Sequence, residues 1–443
     1  MLTDLHHPDT SGAEIKISEI KDNHPFYDGL EYSCPSRGNW TIAHTAMLVP
    51  GAHQIYVGAS ACMRGVVLSA AEFEGLDRFS MVMIEEKDIL SGDMEELFIE
   101  GVTDILNKLD RKPTAVLAFT GCIHHFLAAD TDYIYSELRR RFPDIDFVDC
   151  KMNPTMKKTE ITAEENMRRK IYDPLPNVTK DPRSVNVIGS NKPFTRSGDQ
   201  IDLLEKNGFT VRDICNCYDY AEYKKMATSF LNIYSLPVSG PAAVELKERI
   251  GQDFIYMPCS YDYDEIERDM RKLAERIGAE PPDFDECREK AEEALAKAKK
   301  VVGDMPIAID YVSTPRFFGM AELLLGHGFN VKEIYGDVVL PDDMPALKRL
   351  AVKYPDLPFK ATINYKRRLL PRDAAAAEGG KFLAIGPKAA YFTGTEHFVN
   401  MIENDGNYGF DGIVKLAEAM IEAARTTSDV PSVIQVKGWG CSA

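Results

Sequence analysis

The stretch LLEKNGFTVRDI at residues 203–214 recurs as LLLGHGFNVKEI at residues 323–334. In each copy a helical pattern ends on Leu-Leu, a glycine follows at the helix C-cap position, and an apolar strand comes next. Another apolar strand precedes each copy, at 185–189 and at 307–312. The recurrence predicts two similar α/β lobes, although unrelated strand–helix–strand units also converge on a helix, a glycine and a strand.

Short apolar runs alternate with helical patterns along the whole chain. Strands are predicted at 54–58, 80–84, 115–121, 146–150, 185–189, 230–235, 254–258, 307–312, 360–364 and 382–386. Amphipathic helices are predicted at 94–109, 132–141, 264–277, 341–353 and 410–424. The segment 286–302 is dense in Glu, Lys and Ala and predicts a solvated helix. Strands that alternate with helices are typical of parallel-sheet α/β proteins.

Proline-rich breaks at 174–182 and 281–282, with the turn at 303–306, indicate where the chain passes from one lobe to the next. We therefore expect an α/β protein of three Rossmann-like, parallel-sheet lobes. The predicted boundaries give lobes at 1–180, 181–303 and 304–443, the last one ending in a helix.

Charge and composition exclude several classes of protein. The chain has 69 acidic and 52 basic residues, a net charge of −17, which repels phosphate backbones and disfavours nucleic acid as a partner. Apolar runs are interrupted before the roughly 20 residues that a membrane helix needs. No basic-then-apolar signal opens the sequence, so we expect a cytoplasmic protein. Nine cysteines, an odd number, do not form a secreted disulfide framework.

The usual catalytic motifs are absent from the sequence. It has no P-loop for ATP, no G-x-G-x-x-G for a nicotinamide cofactor, no H-E-x-x-H and no G-x-S-x-G. It also has no C-x-x-C pair, which argues against thioredoxin-like chemistry and zinc ribbons. Any special chemistry must therefore come from single residues brought together by the fold.

Three cysteines stand out by their surroundings. Cys34 lies in YSCPSRGNW, Cys62 in VGASACMRG and Cys122 in LAFTGCIHHF, and the last two directly follow predicted strands. Ligands of parallel α/β domains gather beyond the carboxyl ends of the strands. Three thiolates converging there suit an iron–sulfur cluster, while buried structural cysteines at strand ends are the alternative. We interpret the other six as packing residues: Cys150, Cys215, Cys217, Cys259, Cys287 and Cys441.

These cysteines, 28 and 60 residues apart (34 to 62 and 62 to 122), resemble the N-terminal cluster ligands of the nitrogenase component 1 family. The family includes the dinitrogenase α and β subunits, dark-operative protochlorophyllide reductase and methylthio-alkane reductase. The segments at 83–102, 231–258 and 407–420 also resemble it, whereas the family's I-G-D-D stretch is matched only loosely at 127–130. The resemblance covers nearly the whole chain.

The resemblance implies an oxidoreductase subunit in which Cys34, Cys62 and Cys122 bind an iron–sulfur cluster, either a four-iron cubane or an eight-iron P-cluster type. It implies two protein partners. One is a second component 1 chain, in a homodimer or a heterodimer or heterotetramer, and the other is an ATP-dependent iron–sulfur reductase, which accounts for the missing P-loop. The substrate would be a small molecule of the C=C, tetrapyrrole or C–S type. Alternatives are a scaffold for iron–sulfur cofactor assembly and a sugar- or nucleotide-binding protein with incidental cysteines.

Departures from the family also matter. The Cys and His that hold the active-site metal cofactor of the dinitrogenase α subunit correspond to Ser235–Leu236 and to Tyr408, so this chain does not resemble a nitrogen-fixing α subunit. His124 and His125 are candidates for tuning the cluster or protonating a substrate. The alternative for this pair is a structural role in capping the strand end. Tyr408 is a further candidate by analogy alone, and the catalytic residues remain unassigned.

Overall fold

The structure, a computed structural model, describes residues 10–26, 42–72, 74–152, 161–368 and 381–433. These residues form two compact units. The N-terminal unit takes its described residues from 33–193 and 209–256, and the C-terminal unit takes them from 1–32, 194–208 and 257–443. Cys34 and Cys441 lie outside the described residues.

The strands are β1 (Glu14–Lys16), β2 (Ala52–Gly58), β3 (Phe79–Met83), β4 (Ala115–Gly121), β5 (Asp146–Met152), β6 (Asp181–Val187), β7 (Thr210–Asp213), β8 (Ser229–Tyr234), β9 (Asp253–Tyr256), β10 (Pro306–Asp310), β11 (Asn330–Tyr335), β12 (Pro358–Lys360), β13 (Leu383–Ile385) and β14 (Phe398–Val399). The first nine helices are α1 (Ile42–Met47), α2 (Ser60–Glu72), α3 (Glu86–Ser91), α4 (Met94–Lys108), α5 (Cys122–Phe126), α6 (Thr131–Arg141), α7 (Ala163–Lys170), α8 (Asp199–Lys206) and α9 (Tyr220–Lys224). The others are α10 (Gly240–Ile250), α11 (Tyr263–Ile277), α12 (Phe284–Val302), α13 (Phe317–Gly326), α14 (Met344–Lys353), α15 (Tyr365–Arg368), α16 (Pro387–Thr393), α17 (Gly409–Arg425) and α18 (Val430–Val433).

The first sheet of the N-terminal unit has the strand order β3-β2-β4-β5, and all its strands are parallel. Every residue of β2 and β4 is buried. Parallel strands covered on both faces are continuous apolar runs, which explains why these two are visible in the sequence. Val57 pairs with Thr120, so that Gly58 and Gly121 end the two strands at the same edge of the sheet.

Helices cover both faces of this sheet. On one face Phe98 and Val102 of α4 belong to a buried cluster with Ile55 and Val116 of the central strands. On the other face Tyr56 and Phe119 stack with their ring centroids 4.0 Å apart. The central strands β2 and β4 are therefore held firmly, and the loops that follow them are built on a rigid base.

A second four-stranded sheet in the same unit has the order β7-β6-β8-β9 and is again entirely parallel. The sheet of the C-terminal unit has six strands, in the order β1-β12-β11-β10-β13-β14. Its strands are parallel except for β1, which pairs antiparallel with β12. The three sheets confirm the predicted α/β class.

The repeat is confirmed at the level of local geometry. Gly208 follows α8 and Gly328 follows α13, and both have φ = +76°. This left-handed conformation is open to glycine without a steric cost, and it turns the chain from the helix into the next strand. The next strands, β7 and β11, begin two residues after their glycines.

The prediction of a solvated helix at 286–302 is wrong. This segment belongs to α12, which packs against α17 within the C-terminal unit. Its buried side chains recur every three to four residues at Ala291, Leu295, Ala298 and Val302. Because three of the buried positions of this helix are alanines, its composition alone gives little sign of an apolar face.

The other predicted helices and strands are present, with ends shifted by a few residues. The strand expected at 360–364 is found at Pro358–Lys360. Two strands of two or three residues, β1 and β14, were not predicted. The domain boundaries at 180 and 303 stay a prediction. Within the described ranges, no helix combines the length and the apolar character needed to cross a lipid bilayer.

Candidate metal centre

The fold brings Cys62 and Cys122 to the same edge of the first sheet. β2 ends at Gly58 and α2 begins at Ser60, which leaves Cys62 in the first turn of that helix. β4 ends at Gly121 and α5 begins with Cys122. Because β2 and β4 are neighbouring parallel strands in register, Cys62 and Cys122 both come just after the carboxyl ends of their strands, at the same edge of the sheet. Both are partly buried, as a ligand pocket at this position requires.

The electrostatic environment of the Cys62 thiol includes Cys122. Burial raises the pKa of the Cys62 thiol, and the negative charge of a Cys122 thiolate raises it further. A bound metal has the opposite effect, because a coordinating thiol is deprotonated. Cys62 on its own therefore favours the protonated state, and binding of a soft metal or an iron–sulfur cluster would release its proton. The thiolate chemistry of the two cysteines fits such a group.

The third predicted ligand, Cys34, lies outside the described residues. Within the ranges that the structure describes, no group of three or more His, Cys, Asp and Glu side chains is arranged to hold a metal ion. Two of the three predicted ligands are therefore brought together.

His124 caps the strand end, as the structural alternative in the sequence predicted. Its Nδ1 accepts a hydrogen bond from the backbone N–H of Gly121 at 3.1 Å, and its ring lies edge-on to Phe98 with centroids 5.6 Å apart. Burial lowers the pKa of His124, which favours the neutral ring. Since Nδ1 accepts a hydrogen bond, the proton of the neutral ring lies on Nε2.

This Nε2–H group is buried and has no hydrogen-bond partner among the described residues. A buried donor without a partner is uncommon and calls for an explanation. The side chain lies two residues after Cys122, and the thiolates or sulfides of a cluster are acceptors for such a donor. The orphaned donor thus supports the fit of an iron–sulfur group. His125, by contrast, is exposed at the surface.

Large apolar side chains are exposed at the same edge of the sheet. Leu90 of α3 and Phe126 of α5 are 80% and 70% exposed, and Met83 and Leu127 are exposed as well. These residues belong to β3, β4 or the elements directly after them. We call Met83, Leu90, Phe126 and Leu127 the apolar rim. Large exposed apolar side chains on elements that follow neighbouring strands make this region a candidate interaction surface.

The C-terminal candidate, Tyr408, is a packing residue in the C-terminal unit. It is buried at the N-cap of α17, and its ring stacks on Phe194 with centroids 4.3 Å apart. Nearby, the Nδ1 atom of His397 lies 2.8 Å from the carbonyl oxygen of Ala423, near the end of the same helix. These contacts hold the rings of Tyr408 and His397 in place within the unit.

Sequence reasoning missed a polar cluster around Cys259, which it assigned to packing. The Nδ2 atom of Asn404 donates hydrogen bonds to the Sγ atom of Cys259 and to the hydroxyl of Tyr261, both at 2.9 Å. Burial raises the pKa of Cys259 to about 11. The only sequence signal was the tripeptide Asn-Asp-Gly at 404–406, whose residue types tolerate the left-handed conformation.

Comparison with known proteins identifies the family of the chain. The family model described as "nitrogenase component 1 type oxidoreductase" matches residues 43–424, a range that includes Cys62 and Cys122 and not Cys34. No curated protein matches the sequence.

Two solved structures with a similar fold are those of nitrogenase Cp1 at pH 6.5 and at pH 5. The first has a TM-score of 0.64 and 14% identity, over 91% of this chain and 96% of the other. The second has a TM-score of 0.59 and 12% identity, over 94% of each chain. At such low identity these similarities establish the fold alone.

Proposed function

Since the chain belongs to the nitrogenase component 1 type oxidoreductases, we propose that it is the electron-relay subunit of a nitrogenase-like reductase. In this function it holds an iron–sulfur cluster, and low-potential electrons pass by way of the subunit from an ATP-dependent iron–sulfur reductase to a small-molecule substrate. The observation that carries the proposal is the meeting of Cys62 and Cys122 at one edge of a buried parallel sheet. Structural cysteines at the strand ends are the alternative, and the iron analysis described below separates it from the proposal.

Cys34, Cys62 and Cys122 are the proposed ligands. When bound, the cluster supplies one-electron transfer at a potential that depends on its ligands and their hydrogen bonds. Three thiolates are one fewer than a cubane requires, so we propose that a second component 1 chain or a non-cysteine group completes the set. His124 contributes the buried Nε2–H donor, which would stabilise negative charge on nearby sulfur atoms.

We propose that the apolar rim is where the ATP-dependent reductase docks. A partner that delivers electrons must approach the side of the sheet that carries the cysteines. Leu90 and Phe126 are exposed on elements that follow β3 and β4 on that side. Large exposed side chains of this kind are the usual anchors of protein interfaces.

The substrate is proposed to be a small molecule of the C=C, tetrapyrrole or C–S type. The positions of the family's second metal cofactor support this choice over dinitrogen. Ser235 and Leu236 in the N-terminal unit are buried, and Tyr408 in the C-terminal unit is stacked on Phe194. None of these side chains is a thiolate or an imidazole, the ligand types that would hold such a cofactor.

Anaerobic purification followed by iron and sulfide analysis tests the proposal. We expect a brown protein whose reduced form gives an electron paramagnetic resonance signal. We expect Cys122→Ala to lose at least about 90% of the iron, because the substitution removes one of the proposed cluster ligands. Cys287→Ala is the matched control, because Cys287 is another partly buried cysteine and lies in the C-terminal unit. Wild-type protein that folds without iron, or equal iron in both variants, contradicts the proposal.

A second measurement separates a reductase from a scaffold for cofactor assembly. A relay subunit gives ATP-dependent product formation when the reductase and a substrate are added, and it keeps its iron over many turnovers. A scaffold instead transfers its iron and sulfide to an apo-acceptor protein without forming product. Transfer without turnover would contradict the relay function.

A further inference from the structure

A cavity of about 290 Å³ lies in the C-terminal unit, well apart in sequence from the proposed cluster ligands. One wall is aliphatic and comes from Leu416, Ala419 and Ala423 on α17. Another wall carries the amide side chains of Asn400 and Asn404. A cavity with an apolar wall and a few polar groups, at the lower end of the roughly 300–1,000 Å³ of small-molecule sites, has the character of a ligand pocket.

The polar wall is built on an unusual turn. Glu403, Asn404, Asp405 and Gly406 are four consecutive residues with positive φ, at 49°, 60°, 49° and 73°. Non-glycine residues in this conformation are strained, and such strain concentrates at functional positions. The backbone N–H of Asn404 donates to the carbonyl oxygen of Ser313 at 2.8 Å, which holds the turn in place.

The turn leaves one buried acceptor without a donor. Asn404 is 4% exposed, and its Nδ2 atom is occupied by Cys259 and Tyr261 at 2.9 Å each. Its Oδ1 atom has no hydrogen-bond partner among the described residues. Because Asn404 lines the cavity, a molecule inside can supply the missing donor.

The charged side chains around the cavity indicate the sign of the charge that this molecule carries. Glu422 contributes a carboxylate to the lining of the cavity, and Lys415 contributes an ammonium group. The ammonium group of Lys415 lies 2.9 Å from the carboxylate of Asp411, which compensates its charge. The surroundings are therefore negative overall and favour a cation over an anion.

We propose that this cavity is a binding site for a small organic cation, an alkylammonium with a short aliphatic chain. The ammonium group donates a hydrogen bond to the Oδ1 atom of Asn404 and is attracted by the acidic lining. The aliphatic chain packs against Leu416, Ala419 and Ala423. The proposal does not depend on the proposed electron relay.

The test uses three probes with the same five-carbon chain and different heads: n-pentylammonium, 1-pentanol and pentanoate. Isothermal titration calorimetry on the full chain is expected to give affinity for pentylammonium at least tenfold higher than for pentanol, and no measurable binding of pentanoate. Equal affinity for pentylammonium and pentanol, or the absence of binding by pentylammonium, overturns the proposal. Binding is expected with or without iron, so a failure here is distinct from a failure of the cluster assignment.

Two variants locate the binding. Ala419→Phe fills the cavity and is expected to weaken pentylammonium binding at least tenfold, whereas Ala424→Phe on the same helix, outside the lining, leaves it unchanged. Glu422→Gln removes a lining charge and is expected to weaken binding several-fold, with Glu418→Gln as the matched charge control. Circular dichroism monitors folding in each case. Unchanged binding in folded Ala419→Phe and Glu422→Gln overturns the assignment of the site.

Discussion

The thiolate of Cys122 raises the pKa of Cys62, adding to the effect of burial, although 60 residues separate the two in the sequence. The interaction exists because β2 and β4 are neighbouring parallel strands whose ends are aligned by the pairing of Val57 with Thr120. A negative charge on Cys122 therefore makes Cys62 harder to ionise, and a bound cation would favour the Cys62 thiolate.

This coupling predicts a change in thiol reactivity. In the iron-free chain, Cys122→Ala is expected to lower the pKa of Cys62, because it removes a nearby negative charge. The pH profile of Cys62 alkylation by iodoacetamide, followed by mass spectrometry of the peptide, should therefore move to lower pH. Cys287→Ala serves as the control and should leave the profile in place. An unchanged profile in Cys122→Ala would mean that the two thiols do not interact.

A second prediction concerns the cap made by His124. His124→Ala removes the acceptor for the backbone N–H of Gly121, which is expected to lower the free energy of unfolding by about 1–2 kcal/mol. His124→Asn keeps a side-chain acceptor near that position and should recover part of the loss. Urea denaturation measures both. If His124→Ala is as stable as the wild type, the cap makes no contribution to stability.

The apolar rim gives a third prediction, which rests on the proposed function. Leu90→Glu and Phe126→Glu are each expected to slow ATP-dependent reduction of the protein at least tenfold, since charge replaces an interface anchor. Iron content should not change. Val352→Glu is the matched control, because Val352 is 83% exposed on α14 in the C-terminal unit. Equal rates for the rim variants and the control would exclude the rim as the docking surface.

A fourth prediction follows from Asp199, at the start of α8. Its carboxylate accepts hydrogen bonds from the backbone N–H groups of Phe410 and Asp411, and burial raises its pKa from 3.8 to about 6. The folded state therefore binds a proton more tightly than the unfolded state. The resulting stabilisation is complete below pH 3.8 and is lost as the pH rises through about 6.

Replacing this carboxyl by an amide should remove that pH dependence. Relative to the wild type, Asp199→Asn is expected to gain about 1–2 kcal/mol of stability between pH 4 and pH 7.5, because it avoids a buried charge at the higher pH. Urea unfolding at the two pH values measures the difference. Asp202→Asn, an exposed acid on the same helix, should show no such gain. A gain of equal size in both variants would rule out burial of Asp199 as the cause.

Long apolar elements could be predicted from the sequence, because burial on both sides leaves an uninterrupted run of apolar residues, as in β4. β1 and β14, of three and two residues, could not be predicted, since they show no periodicity. The buried face of α12 could not be predicted from the sequence for another reason. Alanines at 291, 294 and 298 fill a close helix–helix contact, yet alanine is also common on solvated helices.

The candidate sites also differ in how far they could be predicted from the sequence. Cys62 and Cys122 were predictable, because each follows its own strand and parallel strands end at one edge. The contact between Asn404 and Cys259 was not, because it joins residues 145 positions apart through a left-handed turn. Sequence patterns report local periodicity and carry no information about which distant loops meet.

The division of the chain into two units has a consequence for its synthesis. Residues 194–208 belong to the C-terminal unit, although the residues on both sides of them belong to the N-terminal unit. As the ribosome releases the chain, α8 therefore emerges long before α17, whose backbone N–H groups donate hydrogen bonds to the carboxylate of Asp199. The ribosome adds some 200 further residues between α8 and α17, which takes about 10–40 seconds at ordinary elongation rates. During this time α8 is exposed to chaperones and proteases.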